Sequence, residues 1–381
     1  MSTTARVAAV IPPRRERRGP LCHGGWWRPL IREKRCRLTG AMVVLVAGFS
    51  RAAFAEGAGP QVRAFLTTLG FSEAQSVSVQ AGRVAVRVLK DAEDSQVTVA
   101  GAVHVRAPMQ RLLGETSELW ALMAVGDRLR TGSFTDPPRL EDLEALVFDP
   151  RDLEGVPGCE PRDCSLKLDA AGMRIVKRVS WRAPGAYARF GALLKEWMLG
   201  AVEAYRRDGE LPVYLDKRRP MSVAEAMNRS VSESPYIDAR SPFLEYVLGY
   251  PGSHLRDSHD LFYWSTEKLR KPVTSLHHLV VHRGPQGGGF RYVVADKHIS
   301  DTHYFRSRLE LLWLLEGAGP SDFYCVRLSL ARVDPPRWLS HMLMGRVRRA
   351  TGTALEAGLD QARRRLETSG GTTGGLPSLP P

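Results

Sequence analysis

The sequence predicts an α+β protein in which a curved antiparallel sheet packs on a long C-terminal helix. Residues 83–106 alternate apolar and polar positions in two runs joined by a polar link, which is typical of a β-hairpin. Beyond residue 261, four further runs read as strands. Residues 338–367 then place apolar residues three or four positions apart, as in a helix that faces a core. At 43% hydrophobic and 25% charged, the 381-residue chain has a globular composition.

The first 55 residues differ in charge from the rest of the chain. They contain eleven Lys/Arg and two Glu, so they carry +9 of the formal charge of +13. A basic run at 32–37, an apolar stretch at 40–49 and the motif Ala53-Phe54-Ala55 predict a secretory signal cleaved after Ala55. The predicted location is therefore the bacterial periplasm or the outside of the cell. An anchored N-terminus and a cytosolic basic arm are the alternatives.

The remaining 326 residues carry only +4, so we do not expect a nucleic acid as partner. Three cysteines lie in this part of the chain. Cys159 and Cys164 are spaced for a small disulfide loop in an oxidising compartment. Two free thiols or half of a zinc site are the alternatives, but a second Cys/His pair at ligand spacing is missing from the sequence. Cys325 lies in an apolar run and is expected to be a buried thiol.

The elements can be placed along the chain in order. Residues 140–250 are predicted to be mostly helical, residues 309–315 fit either a strand or a buried helix, and residues 369–381 form a disordered tail. The other predicted helices lie at 60–70, after Ser72, at 108–123 and at 338–367, and the predicted strands at 83–89, 96–106, 127–134, 261–264, 273–283, 290–304 and 322–331.

The stretch 274–304 holds five of the ten histidines and reads as two strands joined by a glycine-rich turn. A turn centred near Gln286 and Gly287 would pair His277 with Asp296. Alternation then assigns the side chains to two faces. One face carries His277, Leu279, Val281, Tyr292, Val294, Asp296 and His298, and the other His278, Val280, His282, Arg291, Val293 and Lys297.

The His277, Asp296 and His298 group could bind a metal or hold an imidazole as a general base. It could also line a ligand cavity, or serve only the structure of the sheet. A shift of one residue in the pairing would separate the group. The sequence contains no Walker loop, dinucleotide fingerprint, nucleophile elbow or HExxH motif.

The last predicted helix carries two clusters of arginine, at 346–349 and 363–365. We interpret them as its solvated face. Contact with an anionic membrane surface is the alternative.

Segments 97–113, 260–281, 290–305 and 346–367 resemble an uncharacterised family of exported bacterial proteins. More distantly, the chain is similar to the START-like, polyketide-cyclase-like (SRPBCC) superfamily. There, a strand followed by Ala-Pro and a helix precedes an antiparallel sheet that curls around a C-terminal helix. The resemblance implies a helix-grip domain over 56–368, interrupted by a helical insertion at about 140–250. It also implies a cavity between sheet and helix for an apolar ligand.

The predicted function is therefore an exported protein that binds or carries a hydrophobic small molecule or lipid, without catalysis, cofactor or metal. We expect the inward polar groups to orient the ligand. One alternative is an enzyme, cyclase-like or a metal-assisted hydrolase, that uses His277, Asp296 and His298. The other is an envelope interaction protein without a ligand. The predicted ligand-binding residues are His277, Tyr292, Asp296, His298 and Tyr304.

Overall fold

A computed structural model provides the structure of the chain. It describes residues 58–91, 93–114, 119, 122–123, 127–161, 163–215, 220–285, 289–333 and 340–368. The predicted leader (1–55), the predicted tail (369–381) and the centre of the glycine-rich turn (286–288) lie outside the described residues. None of the described helices is long and apolar enough to cross a membrane.

An eight-stranded antiparallel sheet forms the centre of the described structure. Its strand order is β1-β2-β10-β9-β8-β7-β6-β3, so β1 and β3 are the edges and the sheet is not closed. Strands β6 to β10 follow one another in space as in sequence, and β2 pairs with β10. The strands are β1 Ala85–Val88, β2 Gln96–Val105, β3 Asp127–Ser133, β6 Ser258–Lys268, β7 Pro272–Arg283, β8 Tyr292–Asp301, β9 Phe305–Glu316 and β10 Phe323–Val333, with β4 Val213–Leu215 and β5 Pro220–Ser222 in a separate ribbon.

Helices begin where the sequence places capping residues. Ser72 and Gln75 form a complete capping box, and the hydroxyl groups of Ser222 and Ser241 each accept a backbone hydrogen bond from the first turn of a helix. The described helices are α1 Ala58–Thr68, α2 Glu73–Gln80, α3 Gln110–Leu113, α4 Ala170–Arg178, α5 Ala186–Asp208, α6 Val223–Ser232, α7 Pro242–Gly249 and α8 Ser340–Thr368, with 3-10 turns at Leu140–Leu143 and Val156–Gly158.

Both faces of the sheet are covered. Helix α8 packs on β2 and β1, and Gly101 of β2 lets it come close, because a Cβ there would lie 2.6 Å from Cδ1 of Leu359. Helices α1, α2, α6 and α7 contribute to a second core on the opposite face. The predicted α+β class, the large antiparallel sheet and the C-terminal helix are confirmed. The open question about residues 309–315 is answered as strand β9.

The block at 140–250, which was predicted to be mostly helical, holds α4 to α7 and two 3-10 turns, and the β4–β5 ribbon interrupts it. Cys159 and Cys164 form the predicted disulfide, with their Cα atoms 4.4 Å apart. Cys159 belongs to a small apolar core shared by α4 and α5, so the disulfide stabilises this block rather than the sheet. Cys325 is a buried free thiol, as expected.

Candidate functional site

The β7–β8 pairing differs from the prediction by two residues. His277 pairs with His298, and Leu279 rather than His277 pairs with Asp296. The predicted pairing of His277 with Asp296 is therefore wrong. The predicted assignment of side chains to faces nevertheless holds, because an even shift leaves every side chain on its face.

A β-bulge beside His277 also shapes this face. Residues three apart on a regular strand point to opposite sides. Here the extra residue on β8 brings His298 and Asp301 to the same side, and Nδ1 of His298 lies 2.8 Å from Oδ1 of Asp301. A register drawn from turn chemistry does not reveal such a bulge, so Asp301 could not be predicted as a partner of His298.

Four side chains on β6, β7 and β8 form a buried hydrogen-bonded chain. Oγ of Ser265 lies 2.8 Å from Nε2 of His277, and Nδ1 of His277 lies 3.0 Å from Oδ1 of Asp296. The hydroxyl of Tyr263 donates to Oδ2 of Asp296 at 2.6 Å. All four residues are fully buried. The chain has the hydrogen-bond order of a serine nucleophile, a base and an orienting acid.

His298 extends this chain into a second group. Its ring stands edge-on to that of His277, with centroids 4.2 Å apart. The hydroxyl of Ser275 donates to Oδ1 of Asp301 at 2.6 Å, which holds that carboxylate against His298. Among the described residues, Nε2 of His298 has no hydrogen-bond partner. A buried imidazole nitrogen left in this way is costly in a purely structural residue.

Arg308 on β9 presents the other open donors. Its Nη1 donates to Oε2 of Glu267 at 3.1 Å and lies 3.9 Å from Oδ1 of Asp301, while its guanidinium stacks on the Phe305 ring. Its Nε and Nη2 have no hydrogen-bond partner among the described residues. These two groups form the edge of guanidinium that binds a carboxylate with two parallel hydrogen bonds.

A second buried arginine on the same face is engaged differently. Arg327 binds Oε2 of Glu310 through Nε and Nη2, at 3.3 and 3.0 Å, and donates to the carbonyl oxygens of Leu122 and Met123. The hydroxyl of Ser329 donates to the other oxygen of Glu310. This pair therefore fixes residues 122–123 over the sheet and serves the fold.

The local charges keep the buried acids ionised. Burial by itself raises the pKa of Asp296, but the His277 imidazole outweighs it and holds that pKa well below its usual range. For Asp301, burial likewise raises the pKa, and His298 and Arg308 lower it to about 2. We call this buried set the polar cluster. Its members are Tyr263, Ser265, Glu267, Ser275, His277, Asp296, His298, Asp301, Arg308, Glu310, Arg327 and Ser329.

Two predicted ligand-binding residues do not join the polar cluster. Tyr292 lies at the start of β8, six residues from His298, which is about 20 Å along a strand. Tyr304 lies in the turn after β8 with φ near +61°, and its hydroxyl accepts from the backbone N–H of Lys271. Of the five predicted residues, the structure brings together His277, Asp296 and His298.

Sequence reasoning missed Ser265, Glu267 and Arg308. A signal for them was present. Glu267 and Arg308 are charged residues at the alternating positions of apolar strands whose neighbours face the core, where an unpaired charge is not tolerated. Pairing them across strands required the sheet order, which places β8 and β7 between β9 and β6.

On the opposite face, His278 has a different environment. Its Nδ1 lies 2.9 Å from the Tyr205 hydroxyl and its Nε2 2.8 Å from Oδ1 of Asp260, so both ring nitrogens have partners. The ring stacks on Phe262 at 4.7 Å. Beside it, Nζ of Lys297 donates to the carbonyl oxygen of Val247 at the end of α7. These contacts tie the helices to the sheet.

Arginines of the cluster at 363–365 of α8 pair with acids of the same helix. The arginines at 363–365 include Arg363, which pairs with Asp360 and Glu367, and Arg364, which pairs with Asp360. Such pairing within α8 favours a solvated helix face.

A groove of about 620 Å³ lies among α4, α5 and β4, and none of the predicted ligand-binding residues lines it.

The comparisons with known proteins add no relative. No model of a known protein family matches the chain, and no curated protein matches it. The geometry of the polar cluster is therefore the main indication of function.

Proposed function

We propose that this chain is an exported protein that binds or carries a hydrophobic small molecule with an acidic head group, between the sheet and the elements that cover its α8 face. Export is supported by the Cys159–Cys164 disulfide, since such bonds persist in oxidising compartments. It is also supported by the signal-like pattern that ends at Ala55.

We further propose that the domain is START-like, with a helix-grip arrangement. Support comes from the strand order. The long strands β2 and β10 pair with each other, although the paired residues Val105 and Phe323 are 218 positions apart in the sequence. The helix α8 follows β10 and packs back on β2. The helical insertion is then the block between β3 and β6.

The ligand proposal rests on two donors of Arg308, Nε and Nη2, which have no hydrogen-bond partner among the described residues. A guanidinium is charged at any pH that a protein tolerates, so it cannot lower the cost of burial by losing its proton. Glu267 satisfies one side of the group, and Nε and Nη2 remain without a partner among the described residues. A ligand carboxylate would satisfy both with two parallel hydrogen bonds.

The rest of this face supplies an apolar surface for the body of the ligand. Next to the polar cluster, the strands present mainly apolar side chains toward the α8 side of the core. The same core includes buried residues of α8, which contacts β1 and β2, so the proposed ligand would lie on the α8 side of the sheet. The aliphatic residues are Leu279, Val281, Val294, Leu312 and Leu314.

A fluorescent fatty acid tests the proposal. We expect the full chain, kept in a chelator, to bind cis-parinaric acid and to prefer it over the corresponding alcohol. Arg308→Lys keeps the positive charge but cannot form two parallel hydrogen bonds with one carboxylate, so it should weaken binding of the acid about tenfold or more. Binding of the alcohol should not change.

The matched control is Arg327→Lys. Arg327 is equally buried, but Glu310 and two backbone carbonyls already engage it. This variant should lower stability and leave the acid-over-alcohol preference intact. Equal binding of acid and alcohol by the wild-type chain, or no binding of either, contradicts the proposal.

An enzyme is the second candidate function. One observation favours it: His277, Asp296 and His298 do come together, with one potential ligand atom from each residue within 4.8 Å of the others. General-base or metal-assisted catalysis by these three residues would not require the carboxylate-bearing ligand proposed above.

A further inference from the structure

We propose that His277, Asp296 and His298 form a binding site for one divalent transition-metal ion of the zinc or iron class. The three residues lie on the adjacent strands β7 and β8 and are buried, and their candidate ligand atoms lie within 4.8 Å of one another. Two imidazoles and one carboxylate favour such ions over magnesium or calcium, which prefer oxygen ligands. The site stands without the small molecule proposed above.

The two histidines already have the outer partners that metal-binding histidines need. A metal-bound imidazole almost always uses its second nitrogen to donate to a carboxylate, a carbonyl or water, which fixes its orientation. Nδ1 of His298 lies 2.8 Å from Asp301, so Nε2 points away from that carboxylate. Nε2 of His277 lies 2.8 Å from the Ser265 hydroxyl, which turns Nδ1 toward the site.

The carboxylate is oriented in the same manner. Tyr263 donates to Oδ2 of Asp296, and Oδ1 faces Nδ1 of His277 at 3.0 Å. Two ligand atoms of a tetrahedral zinc ion are about 3.3 Å apart, so this pair is already near its spacing. The ligand atom of His298 lies within 4.8 Å of the other two ligand atoms. It would have to move by at most about 1.5 Å to reach the spacing that a tetrahedral zinc ion needs.

The unpartnered Nε2 of His298 is an independent observation that points to a ligand. It belongs to a side chain with 1% exposure, where an imidazole nitrogen without a partner is costly. A metal ion on this nitrogen explains why the protein holds the other nitrogen so firmly. It also explains why the imidazole lies edge-on to His277.

The charge balance of the polar cluster is compatible with a bound divalent ion. Histidine binds metals as the neutral imidazole. Two protonated imidazoles would balance the four carboxylates and two guanidinium groups of the polar cluster, and one divalent cation that displaces those two protons leaves the same balance. The carboxylates belong to Glu267, Asp296, Asp301 and Glu310, and the guanidinium groups to Arg308 and Arg327.

A serine nucleophile is the competing interpretation of the same side chains. In that case Nε2 of His277 accepts a proton from Ser265 and Nδ1 donates to Asp296. In the metal site Nε2 carries the proton and Nδ1 binds the ion. The two states exclude each other, because His277 cannot present Nδ1 to both a metal and a hydrogen bond.

Calorimetric titration of the chelator-treated full chain with Zn²⁺ and with Co²⁺ tests the proposal. We expect one ion per chain, and a visible absorption spectrum for bound Co²⁺. His298→Ala and Asp296→Asn should each weaken binding about 100-fold or more. Asp301→Asn, which removes only an outer partner, should weaken it about 10- to 100-fold. Circular dichroism of each metal-free variant checks that it folds.

His254→Ala is the matched control, because His254 is exposed and lies outside the polar cluster. It should bind zinc like the wild type. Loss of the ion in this variant would identify an adventitious surface ion only and overturn the proposal. So would binding that survives both His298→Ala and Asp296→Asn, or the absence of binding by the wild type. A fluorophosphonate that labels Ser265 at the same rate with and without zinc would assign His277 to a serine nucleophile instead.

Discussion

His277 and His278 are neighbours in sequence and lie on opposite faces of one strand, in environments that differ in one respect. His278 has a partner at each ring nitrogen and is packed among aromatic rings. His277 also has a partner at each ring nitrogen, but it lies beside His298, and both His298 and Arg308 have buried nitrogen atoms without partners among the described residues. Burial alone does not distinguish the two faces, since both histidines are fully buried.

The difference identifies which buried polar groups serve the fold. A structural polar residue recovers the cost of burial through its own hydrogen bonds. Among the described residues, the unpartnered nitrogens on the α8 face of the sheet belong to the fully buried side chains of His298 and Arg308, whereas on the opposite face Nδ1 of His282 is also unpartnered but belongs to a partly exposed residue near the end of β7. The proposed binding site therefore lies on the α8 face, and the contacts of His278 on the opposite face serve the fold.

The largest expected effect on stability comes from Arg327, which pairs with Glu310 on the α8 face. Glu310→Ala leaves the Arg327 guanidinium buried without its carboxylate, so it should lower the free energy of unfolding by about 3–5 kcal/mol. Urea unfolding followed by circular dichroism measures this. The double variant Arg327→Met/Glu310→Met should recover most of the loss. If it is as unstable as the single variant, Arg327 and Glu310 do not act as a pair.

His278→Phe tests the structural face. The substitution keeps an aromatic ring but removes the hydrogen bonds to Tyr205 and Asp260, so the free energy of unfolding should fall by about 3 kcal/mol. Zinc and fatty-acid binding should be unchanged in the folded variant. Loss of either kind of binding at full stability would reverse the assignment of the two faces.

His303 provides a pH test of a third histidine with a structural partner. Burial lowers its pKa from 6.5 to about 4, although the hydrogen bond to the Ser165 carbonyl opposes this shift. The unfolded chain therefore binds a proton at His303 more readily than the folded chain does. The stability that neutral, buried His303 contributes is lost as the pH falls from 6.5 toward 4. Between pH 7 and pH 5 we expect a loss of about 2 kcal/mol.

The control for this pH test is His303→Gln, which should remove that part of the pH dependence. Urea unfolding at the two pH values gives the comparison. An unchanged pH dependence in the variant would show that His303 does not titrate in the way its burial predicts.

The smallest expected effect comes from the disulfide. Replacing Cys159 and Cys164 with Ala opens a short loop, so the free energy of unfolding should fall by between about 1 and 2 kcal/mol. The bond lies in the helical block, away from the polar cluster, so zinc affinity should not change. A large loss of zinc binding would mean that the helical block shapes the site.

Much of the fold followed from sequence pattern. Alternation in β2 and the three-to-four spacing in α8 are local signals, and both elements were predicted within a few residues. The faces of β7 and β8 were also predicted, because they depend only on the parity of the pairing. The exact register was not, since it depended on a turn whose centre could not be read from a run of glycines.

The site was predicted only in part for the same reason. His277, Asp296 and His298 lie on one hairpin, so local pairing could bring them together. Arg308 and Glu267 meet across four strands, and no local pattern encodes that distance. The bulge that brings Asp301 beside His298 has no signal in the local sequence pattern.

Native mass spectrometry of the full chain, purified without chelator, tests the central claim most directly. We expect the wild type and His278→Phe to carry one transition-metal ion per chain, a carboxylate-bearing small molecule, or both. His298→Ala should lose the ion, and Arg308→Lys should lose the small molecule. A wild-type chain that carries neither, and that takes up neither when both are supplied, would contradict the assignment of the α8 face to binding.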